Sequence, residues 1–317
     1  MPPGPPSLRI VSLLPSATEI VFALGAGDHV VGVTHECDFP PAATRLPQCT
    51  ANLLPPNLSA KQIDDAVARV LTEDPHSIYR LEADTVRELK PDVIITQSLC
   101  AVCAVPESTV RDISCNFPFE CRVVSSDPHS LIQLFESILY IGRAIGYEKE
   151  AVALVVDLKA RLARVQQLPI PANPPNVAVI EWPDPPYAPG HWVPDMISYA
   201  KGTCVLGKPG HKSERISWQQ LAQLQVDVVI CAFCGYDLYR NQIECDKVRS
   251  QNEWKAFVKG ANVYATNASA YFSRPGNRLV DGTELLAFLL HRVEAYRPPR
   301  TSASQLRNGE WVDVADL

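Results

Sequence analysis

The chain has 317 residues, 46% of them hydrophobic and 20% charged, which excludes a disordered or collagen-like polymer and leaves enough apolar matter for a sizeable core. Twenty-nine Lys and Arg against 35 Asp and Glu give a net charge of −6, so the basic footprint of a nucleic-acid binder is absent. No run approaches the roughly 20 apolar residues of a membrane helix, and no direct membrane insertion is expected.

Residues 1–7 are Pro-rich and read as a disordered start. They carry no basic segment, apolar core or cleavage site of a secretory leader, so the expected location is cytoplasmic. Ten cysteines are too sparse for a disulfide scaffold and are expected to be reduced thiols.

Short β-branched runs then recur, each ending in a loop of unusual composition. Arg9-Ile-Val-Ser-Leu-Leu14 leads into Pro15-Ser16-Ala17-Thr18, and Val30-Val-Gly-Val33 into Thr34-His35-Glu36-Cys37-Asp38. Asp92-Val-Ile-Ile-Thr96 leads into Gln97-Ser98-Leu99-Cys100-Ala101-Val102-Cys103. In the second half Val177-Ala-Val-Ile180 leads into Glu181-Trp182-Pro183-Asp184 and on to His191-Trp192. Asp227-Val-Val-Ile-Cys231 leads into Phe233-Cys234, and Val263-Tyr-Ala-Thr266 into Tyr271-Phe272-Ser273-Arg274. Several of these runs are apolar without alternation, the pattern of strands buried on both faces, and helical stretches separate them. Between the two groups, Asp127-Pro128 opens about 40 residues of helical periodicity with no strand.

This order predicts an α/β protein with two Rossmann-like lobes of parallel sheet: 8–126, a helical segment 127–168, a second lobe 169–297, and a polar tail 298–317. In open parallel sheets ligands bind beyond the carboxyl ends of the strands. His, Cys and Trp gather in those loops here, which predicts a ligand cleft between lobes.

Arg9-Ile-Val-Ser-Leu-Leu-Pro-Ser-Ala-Thr-Glu19, Leu24-Gly25, Val31-Gly-Val33, Asp38-Phe-Pro-Pro41 and Leu89-Lys-Pro-Asp-Val-Ile-Ile95 together resemble the helical-backbone (class III) periplasmic substrate-binding proteins. Within that family the chain resembles the cobalamin-binding components of bacterial vitamin B12 transporters. The resemblance spans about residues 8–295 and implies two α/β lobes, a rigid connecting helix and a ligand held between lobes. It implies cobalamin or another corrinoid as ligand. With no leader read at the start of the sequence, a signal-less, intracellular branch is the expectation, and a transporter partner is not expected. The segment from Leu46 to Tyr79 is longer than the family pattern, and the sulfur of the His35–Asp38 and Cys100–Cys103 loops has no counterpart in it.

Among single motifs, Ser16 at a strand-to-helix junction reads as a helix cap or as a ligand contact. Cys100-x-x-Cys103 has the spacing of half a thiolate metal site, and His35 with Cys37 could complete it around zinc or iron. Cys231 is expected to point into the core, and Cys115, Cys121, Cys204 and Cys245 to be packing residues. Trp182, Trp192 and Tyr271 suit a flat heterocycle, with Glu181, Asp184, His191, Cys234, Ser273 and Arg274 as polar partners. Gln97 and Asp38 complete the expected ligand-lining set, and Gly210-His211-Lys212 reads as a plain surface loop. The expected function is a small-molecule binding protein holding a corrinoid-like, metal-containing or heterocyclic ligand. The density of His35, Cys37, Asp38, Glu181, Asp184 and His191 keeps an enzyme using the same cleft as the alternative.

Overall fold

The computed structural model describes residues 8–73, 78–98, 105–169 and 172–317. They form two compact units, one of residues up to Pro128 with Ile132–Asp157, the other of His129–Leu131 with Leu158–Leu317. All six β-branched runs are strands in parallel pairings, three in a sheet of each unit.

The first unit contains β1 (Ile10–Ser12), α1 (Pro15–Ala23), β2 (Val30–Gly32), β3 (Thr50–Asn52), α2 (Ala60–Glu73), β4 (Tyr79–Leu81), α3 (Ala83–Leu89), β5 (Val93–Thr96), α4 (Glu107–Ser114) and β6 (Arg122–Ser125). The parallel sheet runs in the order β2-β1-β5-β6, and every residue of β1 and β5 is buried. Val11, Leu13, Val86, Ile94, Val110 and Phe117 share one of its cores. In the long segment before Tyr79, β3 and β4 pair antiparallel, and α2 lies between them in the chain. One side of α2 half-buries Ile63, Ala66, Val67 and Val70, while Lys61, Asp65 and Arg69 are exposed.

The expected Ser16 cap does not form. Pro15 takes the first helical position, so Ser16 lies inside α1, and the flanking Leu14 offers no capping side chain. Proline suits that position because it has no N–H to satisfy there.

The helical segment at the middle is two helices, α5 (Leu131–Ala144) and α6 (Glu148–Gln166), joined through Gly146 at φ +79°. The boundary between units falls within α6 after Asp157.

The second unit contains β7 (Asn176–Ile180), β8 (Trp182–Pro183), β9 (Pro186–Ala188), α7 (Val193–Tyr199), β10 (Thr203–Cys204), β11 (Glu214–Arg215), α8 (Trp218–Leu221), β12 (Val228–Cys231), α9 (Leu238–Val248), α10 (Asn252–Phe257), β13 (Asn262–Thr266), α11 (Ala268–Tyr271), α12 (Leu279–His291), β14 (Ala303–Arg307) and β15 (Glu310–Asp313). Its main sheet has the order β10-β7-β12-β13-β14-β15, parallel through β13 and antiparallel beyond it. One core gathers Val229, Cys231, Phe233, Trp254 and Phe257, with Trp218 edge-on to Trp254 at 5.4 Å. Cys231 points inward as expected, and Cys245 is buried beside it in the same core. Cys115, expected to pack, is instead exposed, one residue beyond α4.

The expected polar tail is a hairpin that prolongs this sheet. Ser302, Ala303, Ser304 and Gln305 are buried, and β14 pairs with β13 from Tyr264↔Gln305 to Thr266↔Ala303. Its polar character conceals a strand because its polar atoms are satisfied: Gln305 donates to Asn262 (2.9 Å) and accepts from Arg292 (2.9 Å).

Candidate ligand-binding faces of the two units

In the first unit, β1 and β2 end in a knot of small polar groups. Thr18, one turn into α1, donates to Ser12 Oγ (2.8 Å), and its hydroxyl lies 3.1 Å from Cys37 Sγ. Thr34 approaches the same sulfur at 3.4 Å and accepts from the Glu36 amide at 3.0 Å. The knot fixes the turn that presents His35. Thr50, at the start of β3, accepts from the His35 amide (3.2 Å), and its hydroxyl sits 2.7 Å from Nδ1. The ring of Tyr79 lies 5.0 Å from the imidazole. His35 Nε2 is buried and makes no hydrogen bond, with Glu36 Oε1 3.4 Å away. Leu13, Pro15, Thr34, His35, Glu36, Thr50, Tyr79 and Val105 together line a small depression.

In the second unit, β7 runs directly into Glu181 and Trp182. A small antiparallel sheet, β11-β9-β8, folds over that end and displays aromatic rings. Trp182, Tyr187 and Tyr236 are half-buried, and the rings of Trp182 and Tyr236 lie 5.3 Å apart. Arg215 donates to the Tyr187 hydroxyl (2.8 Å) and covers its ring, while Arg240 lies 5.2 Å over Tyr236. Cations above π-faces of this kind form a surface matched to flat, partly anionic molecules.

The loop 189–192 completes this face. His191 sits at φ +51°, in the left-handed region, held by its amide donating to His211 O (2.6 Å) and by Gly210 N–H donating to its carbonyl (2.9 Å). A non-glycine residue persists there only where its surroundings over-determine it. Its ring lies against Trp192 (5.5 Å) and His129 (5.4 Å). Burial, then His129 and Lys212, push its pKa down, which favours the uncharged imidazole, and buried Nδ1 has no partner. Asn277 Oδ1, ahead of α12, is likewise buried and unpartnered. Buried polar atoms are nearly always satisfied, so these atoms mark places where a ligand or water is called for.

The sequence-expected residues divide accordingly. Ser16, His35, Cys37, Asp38 and Gln97 belong to the first unit, with Ser16, Cys37 and Gln97 buried and Asp38 exposed. Glu181, Trp182, Asp184, His191, Trp192, Cys234, Tyr271, Ser273 and Arg274 belong to the second. Trp192 is a structural pin there: it is buried, and its indole N–H donates to the Phe272 carbonyl (2.7 Å). Tyr271 bonds the Ser302 hydroxyl (3.0 Å), while Asp184 and Cys234 are exposed. Cys100 and Cys103 lie outside the described residues. Among the described residues no group of three or more His, Cys, Asp or Glu side chains is placed to hold a metal.

Reading the sequence passes over Thr50, Tyr79, Tyr187, Ser213, Arg215, Tyr236 and Asn277. Most of them contribute through a neighbour distant in sequence, as Thr50 does through His35, whereas Asn277 stands out only by its unpartnered buried oxygen. The weak signals were the aromatic content of Pro186-Tyr187 and the Gly235-Tyr236 pair after a strand.

Solved structures share this fold. The periplasmic haem-binding protein HutB of Vibrio cholerae aligns with a TM-score of 0.68 at 16% identity, covering 90% of this chain and 99% of its own. The periplasmic vitamin B12-binding protein BtuF of Vibrio cholerae gives a TM-score of 0.65 at 20% identity, covering 93% and 99%. In sequence, an uncharacterized ABC transporter substrate-binding lipoprotein, YvrC of Bacillus subtilis, is 25% identical over 88% of this chain and 78% of that protein. The vitamin B12-binding protein of Vibrio cholerae is 23% identical over 88% and 87%. The sequence model of the periplasmic binding protein family matches residues 10–270, and the chain belongs to that family.

Proposed function

We propose that this chain is a substrate-binding protein whose ligand is a flat, metal-bearing macrocycle of the corrinoid or haem type. The observation that carries the reading is the strand-end face of the second unit, where Trp182, Tyr187 and Tyr236 stand beside Arg215 and Arg240. Aromatic faces take the plane of such a ligand, and guanidinium groups take peripheral carboxylates or amide oxygens. The neutral His191 ring adds an uncharged nitrogen donor of the kind that suits a borderline metal. Relatives named for vitamin B12 and structural neighbours named for haem support the same two ligand classes. The transporter in the name of the Bacillus relative supports a membrane permease as partner, in place of the expectation against one.

Both carboxylate oxygens of Glu181 already accept hydrogen bonds, from the Gly190 amide and the Ser213 hydroxyl. The test is titration of the purified ligand-free protein with dicyanocobalamin and, separately, with haemin, followed by visible absorption and calorimetry. The reading predicts saturable one-to-one binding of one of them. Failure of both to bind overturns it.

A further inference from the structure

In the turn after β2, Thr50 decides which nitrogen of His35 carries the ring proton. Its buried hydroxyl oxygen accepts from the His35 amide (3.2 Å) and lies 2.7 Å from Nδ1. A hydroxyl has one proton to give. Among the described residues Nδ1 is the acceptor within its reach, and buried polar hydrogens are nearly always satisfied. Thr50 therefore donates to Nδ1, which leaves the imidazole's own proton on Nε2.

That proton has no partner. Nε2 is buried without a hydrogen bond, and Glu36 Oε1, at 3.4 Å, lies outside the range of about 2.7–3.2 Å for such a bond. The two atoms stand side by side, a donor and an acceptor that do not satisfy each other. Both residues line the depression whose other walls include Leu13, Pro15 and Val105. The neighbouring hydroxyls are already engaged, Thr34 accepting from the Glu36 amide (3.0 Å) and Thr50 holding His35. The Glu36 side chain is 40% exposed, so its carboxylate stands within reach of a molecule at this surface.

A group that takes one hydrogen bond and gives another through adjacent atoms fits this pair. A primary carboxamide does so: its oxygen accepts and its NH2 donates. A carboxylate does not, because it brings no proton for Glu36 and carries the same charge.

We propose that His35 and Glu36 form a clamp for a primary carboxamide, His35 Nε2 donating to its oxygen and Glu36 accepting from its nitrogen. The clamp selects a corrinoid, whose rim carries carboxamides, against haem, whose rim carries carboxylates. This rests on the reading of the ligand as a metal-bearing macrocycle and narrows it to one of the two classes. Glu36 supplies the repulsive half of the selection and His35 the attractive half, and a site built on paired hydrogen bonds discriminates more sharply than an apolar one.

The test compares one ring in two forms by calorimetry: dicyanocobinamide, with a carboxamide rim, and dicyanocobyrinic acid, with a carboxylate rim. Wild type is expected to bind the amide form at least about tenfold more tightly. Glu36→Gln removes the charge, and the ratio is expected to shrink at least about fivefold, chiefly because the acid is admitted. His35→Phe keeps a ring beside Tyr79 without the N–H, and is expected to weaken the amide form about tenfold and the acid form little. Equal binding of the two forms by wild type overturns the clamp. So does an unchanged ratio in Glu36→Gln, or equal weakening of both forms by His35→Phe, in variants shown folded by circular dichroism. Nitrogen-15 NMR of the imidazoles in the ligand-free protein reads the tautomer directly, and a His35 proton on Nδ1 also overturns it. Haemin bound in preference to both corrinoids overturns this inference and leaves the macrocycle reading standing, whereas binding of none of the three overturns both.

Discussion

In the first unit the strand ends pass at once into short side chains: Ser12, Thr18, Thr34 and Cys37 bond one another, and the turn they fix presents His35. In the second unit β7 instead runs out into a separate small sheet and two loop segments, which meet through backbone contacts and the half-buried Glu181 carboxylate. The first arrangement closes its hydrogen bonds locally and leaves little room for adjustment. The second sets large aromatic and cationic groups on segments whose mutual position depends on a few long-range contacts. On the proposed reading the recognition chemistry sits on those segments, and sensitivity to substitution and pH is expected to be greatest in the second unit.

The strongest way to break this contrast is at the glycines. Gly207→Ala places a methyl against the Pro189 carbonyl at a positive φ and is expected to cost about 3 kcal/mol in urea unfolding. Gly146→Ala in the first unit, also at positive φ but with open space around it, is expected to cost only about 1 kcal/mol. Equal costs would show that the 189–190 and 207–213 contact does not constrain the second unit.

Next comes pH. With Glu181 raised from 4.5 to about 7, its contribution is fully present below 4.5 and lost as pH rises through 7. Wild-type stability is expected to decline by about 2–3 kcal/mol across that window relative to Glu181→Gln, as measured by denaturant unfolding at a series of pH values. Parallel profiles for the two proteins would remove the distinction.

For binding, Trp182→Ala is expected to weaken whichever macrocycle binds by about tenfold or more, while Tyr79→Ala in the first unit costs about threefold, both by calorimetry. The smallest effect belongs to the local knot. Thr18→Val removes the hydroxyl shared with Ser12 and Cys37 and is expected to cost about 1 kcal/mol, independent of pH, by thermal unfolding.

How far the sequence could be read follows the same division. The strands β1, β2, β5, β7, β12 and β13 were legible because burial on both faces demands continuous apolar runs. The hairpin β14–β15 was not, since Ser304 and Gln305 are buried polar residues satisfied across the sheet, and β6 begins at an exposed Arg122. His35, Glu181, Trp182 and His191 were legible as candidates because unusual residue types follow strand ends. Ser213 was not: it belongs to a stretch that reads as plain surface, and its tie to Glu181 spans 32 positions. The close approach of Gly190 and Gly207 to their neighbours is a property of packing that no spacing encodes.

The central claim is that the strand-end face of the second unit receives the ligand. Hydrogen-exchange footprinting with and without the macrocycle that binds tests it most directly. The account predicts slowed exchange across 181–192, 210–215 and 234–240, with a smaller change around 34–37 and 50. A bound ligand that leaves 181–192 and 234–240 exchanging as in the free protein would contradict it.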